Sequence, residues 1–159
     1  MAAYGVTEDL DGVLPWSWAE TRLSASCNFW IVTASSNARP HAMPVWGVWM
    51  TTLERFAFSC APRSRKARNL RDNPQIVVAV DDTVECVSLE GRARAISGTD
   101  ADPFVDAYAR KYEDDPDKQT ALAAFMRENR IFEVTPERAF GIIEREDEFA
   151  QRATRWVWR

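Results

Sequence analysis

The chain has 159 residues, 46% of them hydrophobic and 28% charged, with a formal net charge of −4, a balance that suits one globular domain with a full core and excludes a disordered or membrane-embedded chain. No stretch approaches the roughly 20 apolar residues that a membrane helix needs. The opening MAAYGVTEDLDG lacks the basic and apolar regions of a signal peptide, so a cytoplasmic location is expected.

Residues 1–14 are polar, non-periodic and acidic, and read as an N-terminal arm ahead of a single domain over 15–159. Pro15, as the first helical residue, opens PWSWAETRLSAS, which places Trp18, Arg22, Leu23 and Ser26 on one helical face. The period then changes to two. NFWIVTAS predicts a strand, SSNAR a turn, and PHAMPVWGVWM a second strand whose prolines 40 and 44 place it at an edge, at a bulge or beside a ligand. RFAFSC (55–60), QIVVAV (75–80) and ECVSLEGRARAI (85–96) are the next strands, and APRSRKARNLRDNP between the first two of them fits a short helix stopped by Asn73 and Pro74. Asp102 before Pro103 predicts a capped helix with Phe104, Tyr108 and Tyr112 as a packing stripe. After the break at DDPD, QTALAAFMREN predicts a helix with Leu122, Phe125, Met126 and Asn129 on one face, and IFEVTP, RAFGIIER and ATRWVWR close the chain as strands. This order does not alternate as βαβ units do. It predicts a mainly β protein, an antiparallel barrel with helices packed outside.

Small counts narrow the chemistry. The single histidine, His41, excludes reactions that need two imidazoles and leaves no metal site to expect. Cys27, Cys60 and Cys86 contain no CxxC and read as small buried thiols, and the six scattered glycines write neither GxGxxG nor a Walker loop. The most unusual segment runs from Arg63 to Arg71, with five cations in nine residues and no acid, on a chain whose remainder holds 15 basic and 24 acidic residues. Cations at a helix N-terminus oppose the macrodipole unless an anion sits among them. Backbone N–H groups, Ser64, a forked Arg65 and Lys66 would form a phosphate cradle without a glycine loop, the alternative being a basic helix face turned to water. Nucleic acid is a poor fit to one such patch on a chain of pI about 5.1. His41 is a possible proton donor or cofactor contact, or a solvent-facing side chain. Trp46 and Trp49 could stack on a ring or fill core, and Glu144, Glu146, Asp147 and Glu148 read as a solvated face.

The ordered set NFWIVTASSNARPHAMPVWGVW, FAFSC, SRKARNLRDNPQIVVAV, VSLEGRARAI and ATRWVWR resembles the pyridoxamine 5′-phosphate oxidase-like superfamily of flavin- and deazaflavin-dependent split-barrel oxidoreductases, from about residue 15 onward. The resemblance implies a six-stranded antiparallel Greek-key split barrel, a homodimer with cofactor sites in the dimer cleft, and hydride transfer from FMN or coenzyme F420 to a small conjugated substrate. The PHAMPVW strand and KARNL helix lean slightly toward the deazaflavin. Carried over by position, Arg65 and Lys66 grip the cofactor phosphate beside Ser64 and Asn69, and Ser59 and Cys60 line the ribityl chain. Pro44, Val45 and Trp46 run alongside the ring, and Trp156 reaches the opposite subunit's site. The chain departs from true pyridoxamine phosphate oxidases: it has Pro44 and Trp49 where they carry Arg and Lys, Cys86 in place of a Gln, and no histidine after His41. An oxidoreductase of different substrate is therefore expected, and its rival is a non-enzymatic flavin, deazaflavin or heme binding or storage protein. Neither a membrane nor a nucleic acid is expected as a partner.

Overall fold

Residues 12–158 are described by a computed structural model of the chain. Most of the expected arm lies outside the described residues; its last residue, Leu14, is buried, and its N–H donates to Thr154 Oγ1 at 2.8 Å.

Helix α1 (Trp16–Ala25) leads into β1 (Asn28–Ala34), β2 (Pro40–Met50) and β3 (Arg55–Cys60). Helix α2 (Arg65–Asp72) connects to β4 (Gln75–Val80) and β5 (Glu85–Ile96), and a short 3-10 turn then enters α3 (Asp102–Tyr112), followed by α4 (Pro116–Glu128). The chain returns as β6 (Arg130–Ile143), α5 (Phe149–Arg152) and β7 (Thr154–Val157). All strand pairings are antiparallel. The order β3-β2-β1-β4-β5-β6 closes on itself through β3–β6, giving a six-stranded barrel with flanking helices, and β7 extends the sheet beyond β6.

Alternation dictates the barrel interior. Phe29, Ile31 and Thr33 of β1 point inward with Val80, Val78 and Ile76 of β4, and join Phe56, Phe58, Val87, Leu89 and Val134 in one core. The strand β3 is buried on both faces because α3 and α4 cover its outer side, where Ala57, Val48 and Ile131 meet Phe104, Val105 and Met126. Four tryptophans close one end: Trp16 packs edge-on against Trp49, Trp156 and Trp158 at ring-centroid distances of 5.8, 5.5 and 4.9 Å.

Several local expectations are corrected. Pro15 is the N-cap of α1 and Trp16 its first residue. Asp102 opens α3 without capping it, because the preceding 3-10 turn already delivers a helical backbone at Ala101; its carboxylate pairs with Arg127 at 2.7 Å instead. Phe125 is exposed and Met126 takes the buried place on α4. IFEVTP and RAFGIIER are a single strand. The ladder to β5 skips one residue between Glu90–Arg138 and Gly91–Pro136, and this bulge accommodates Pro136. Only glycine fits opposite, since a Cβ at Gly91 would lie 2.2 Å from the Thr135 carbonyl oxygen. Of the thiols, Cys60 alone is buried; Cys27 is exposed and Cys86 half-buried. No helix among the described residues is long and apolar enough to cross a membrane.

Candidate functional site: an anion cleft beside an open strand edge

The two halves of β2 have different surroundings. Residues 47–50 pair with β3, whereas residues 40–46 pair with β1 alone. Pro40 and Pro44 fall in the half with a free edge, where no ladder donor is required of them. The barrel is open here: Met43 faces the same side as buried Ile31 yet is 44% exposed.

Helix α2 packs at this opening. Ser64 caps it, its Oγ accepting from the Ala67 N–H at 3.3 Å, and no acid occupies the first turn. The tight turn before it carries an Ala61 carbonyl to Ser64 N–H bond of 2.9 Å. One turn later Asn69 is buried, and its Nδ2 donates to the Thr33 hydroxyl at 2.9 Å. The contact pins α2 to β1. It leaves a cleft of about 260 Å³ lined by Ser35, Asn37, Arg39, Arg65, Arg68 and Asn69 together with Pro40. Three arginines line it, and no carboxylate does.

The turn between β1 and β2 supplies half of the cleft. The Ser35 N–H bonds the Arg39 carbonyl at 3.1 Å, the Ala38 N–H bonds the Ser35 carbonyl at 2.8 Å, and Ala38 adopts φ 61°. Sequence reasoning read this stretch only as a turn. Its signal was the single cation Arg39 placed directly before a proline-rich strand, and only the packing of α2 gives that cation a purpose.

The expected site residues separate into groups. Arg65 lines the cleft. Lys66 lies to the side, near enough to His41 and Cys60 to act on both electrostatically. His41 stands opposite Thr33, and its imidazole is held below its ordinary pKa by burial first and then by Arg65 and Lys66. Cys60 is buried under the start of α2, accepting from the Ser64 hydroxyl at 3.4 Å, and burial pushes its thiol up against the opposing influence of Ser64, Lys66 and Arg130. Half-buried Ser59 stands beside it on β3. Asn69 spends its amide on Thr33 and acts as a tether.

Pro44 and Trp46 are exposed and Val45 half-buried. The Trp46 indole stacks on Tyr112, with centroids 4.9 Å apart and planes 7° apart. Tyr112 does more than pack: its hydroxyl accepts from the Gly47 N–H at 3.0 Å and lies 2.6 Å from the Cys27 carbonyl oxygen, so α3 holds the strand just after Trp46. Lys111 reinforces this hold by donating to the Ser26 and Gly47 carbonyls, and burial pushes its ammonium down. Trp49 is core, its indole N–H donating to Glu20 Oε1 at 3.0 Å. Trp156 is not brought to the cleft of its own chain; it rests over Gly141 in the aromatic cluster. No group of three or more His, Cys, Asp or Glu side chains among the described residues is arranged to hold a metal ion.

The family model for pyridoxamine 5′-phosphate oxidase matches residues 19–142. No curated protein matches the chain by sequence. Among solved structures, a conserved hypothetical protein of Mycobacterium tuberculosis superposes with a TM-score of 0.70 at 17% identity, over 84% of this chain and 88% of that one. The heme storage protein HutZ of Vibrio cholerae gives 0.62 at 16% identity, covering 78% of this chain and 90% of its own. A pyridoxamine 5′-phosphate oxidase-related, FMN-binding protein of Nostoc punctiforme gives 0.63 at 13% identity, over 92% and 97%. At these identities the likenesses establish the fold. With a closed six-stranded barrel and a family match that spans most of its length, the chain belongs to the pyridoxamine 5′-phosphate oxidase family.

Proposed function

We propose that the protein binds a phosphate-bearing flavin, either FMN or the deazaflavin coenzyme F420, and serves as an oxidoreductase that passes hydride to a small conjugated substrate. The carrying observation is the cleft in which Arg39, Arg65 and Arg68 meet Ser35 and Asn37 with no carboxylate among the lining residues. That donor set fits a phosphate: planar guanidinium forks bond oxyanions in pairs, and the hydroxyl and amide supply further donors. Lys66 adds a point charge from the side. His41, its imidazole held below the ordinary pKa by burial, Arg65 and Lys66, stands near those two cations, so it is set aside as a proton donor at the ring.

The bound flavin supplies the electron chemistry. The chain supplies position. The open edge of β2 from Pro44 to Trp46 offers backbone groups to a ring, and the Tyr112 and Lys111 contacts at Gly47 keep that edge in place. Pro44, Trp49 and Cys86 stand where the resemblance gives pyridoxamine phosphate oxidases Arg, Lys and Gln, which supports another substrate.

A homodimer completes this reading. Trp30 and Trp46 are 46% and 52% exposed on the outer face of the sheet. One row of that face runs from Pro44 through Trp30, Ala79, Ser88 and Phe140 to Arg155. At its far end lies a cavity of about 590 Å³ lined by Ser88, Phe140, Ile142 and Arg155 among others, the place proposed for substrate. Besides packing in the aromatic cluster, Trp156 would meet a cofactor only across such an interface.

The experiment is a fluorescence titration of FMN, coenzyme F420 and riboflavin, followed by mixing the reduced complex with enones and quinones. Phosphate-dependent binding that weakens roughly tenfold or more in Arg65→Ala/Lys66→Ala, and faster reoxidation with acceptor, is expected. Tight heme binding with no flavin binding would favour a storage protein and overturn the proposal.

A further inference from the structure

A second cleft of about 340 Å³ flanks α2 against β5 and β6. Four arginines line it: Arg68 and Arg71 from the helix, Arg94 from β5 and Arg130 from β6, around an apolar floor that includes Leu70 and Phe132. No carboxylate lines it. The partners of the four differ. Arg94 is anchored through Nε to buried Glu133 at 2.7 Å and reaches Asp100 through Nη1 at 3.5 Å, which leaves Nη2 for another acceptor. Arg71 holds Asp72 in an exposed pair, an arrangement that is weak and easily exchanged. Arg68 donates to the Arg63 carbonyl at 2.9 Å, and neither it nor Arg130 is paired with a carboxylate of the described residues.

Like charges gathered along one cleft repel, and two of the four, Arg68 and Arg130, have no carboxylate partner among the described residues. An oxyanion among them relieves the repulsion. The volume is at the lower end of small-molecule sites, which span about 300–1,000 Å³, and four cations on a chain of net charge −4 are too few for a nucleic-acid backbone. We propose that this cleft is a second anion site, sharing only Arg68 with the cofactor cleft, that takes the carboxylate or phosphate groups of a compact polyanionic small molecule.

Calorimetric titration of pyrophosphate and, separately, of citrate at fixed ionic strength tests this. Three proteins are compared: the unmodified chain, Arg65→Gln/Lys66→Gln for the cofactor cleft, and Arg71→Gln/Arg130→Gln for the second cleft. Two equivalents of pyrophosphate are expected for the unmodified chain, one of which persists in Arg65→Gln/Lys66→Gln. In Arg71→Gln/Arg130→Gln that equivalent weakens tenfold or more while FMN or coenzyme F420 affinity is unchanged. Stronger citrate binding assigns carboxylates, and stronger pyrophosphate binding assigns phosphates. If circular dichroism shows the double variant to be unfolded, Arg130→Gln alone is read, at an exposed side chain. A single equivalent that vanishes in Arg65→Gln/Lys66→Gln, or a two-site isotherm untouched in Arg71→Gln/Arg130→Gln, overturns the proposal. Absence of flavin binding with retention of the second equivalent would sink the cofactor reading and leave this one standing.

Discussion

The Asn69 amide donates to the Thr33 hydroxyl at 2.9 Å, and Thr33 stands directly opposite His41 in the β1–β2 ladder. One buried contact therefore sets the helix that carries Arg65 against the β1–β2 hairpin, whose turn carries Arg39 and whose second strand carries His41. Replacing Asn69 by Ala removes the tether and strands a buried hydroxyl. Asn69→Ala is expected to cost about 1–3 kcal/mol of stability and to weaken phosphate binding at the same time, measured by urea denaturation and phosphate titration of one preparation. A loss of stability with unchanged phosphate affinity would separate the tether from the site.

Arg39 lies on an exposed turn and lines the cofactor cleft. Arg39→Ala is expected to leave the thermal midpoint within a degree or two, since surface substitutions change stability by about 0.5 kcal/mol or less. It should cost about 1.5–3 kcal/mol of binding to a phosphorylated flavin, the range for bonds to a charged group. Riboflavin affinity should not change. Equal losses for both ligands would place Arg39 away from the phosphate.

His41 predicts a pH dependence with a definite sign. Its folded pKa is below the ordinary histidine value because of burial, Arg65 and Lys66. The unfolded chain thus binds the proton more tightly, and stability falls as pH drops from the ordinary value through the folded one. A dianion in the cleft reverses the pressure and favours the imidazolium. Sulfate, which stays dianionic across this range, should bind more tightly as pH is lowered toward the pKa of the free protein. His41→Ala should flatten that part of the profile, and a slope that survives the substitution would exclude His41 as its source.

Gly47 is confined from two sides. The Tyr112 hydroxyl takes its N–H at 3.0 Å, and a Cβ at this position would fall 2.2 Å from the Phe56 ring. Gly47→Ala is expected to destabilise by about 1–3 kcal/mol through overpacking. Tyr112→Phe keeps the ring that stacks on Trp46 but abandons the Gly47 N–H, with a similar expected cost of about 1–3 kcal/mol. Thermal denaturation checks both. A flavin affinity that falls in Tyr112→Phe while Trp46 fluorescence is unchanged would show that backbone position, not stacking, holds the ring.

The legible part of the fold was local. Alternation in NFWIVTA and QIVVAV marks β1 and β4 because inward positions of a barrel strand recur every two residues. Asn73 and Pro74 mark the end of α2 because a proline has no N–H to carry the helix on. The merger of IFEVTP and RAFGIIER was illegible, since the bulge that lets Pro136 stay in the strand depends on Gly91 of a different strand. The resemblance places Cys60 and Asn69 beside the cofactor; that Cys60 is buried under α2 and that Asn69 both binds Thr33 and lines the cleft was illegible, since these contacts join separate segments of the chain.

The amino-acid sequence by itself determined the strands, the basic helix and the absence of glycine-loop chemistry, all of which follow from residue type and short-range period. Only the tertiary structure decided which cations act together. Arg65 shares one cleft with Arg39 while Arg71 shares another with Arg94 and Arg130, because the faces of α2 are allotted by the strands that pack on each flank, and those strands come from distant parts of the chain.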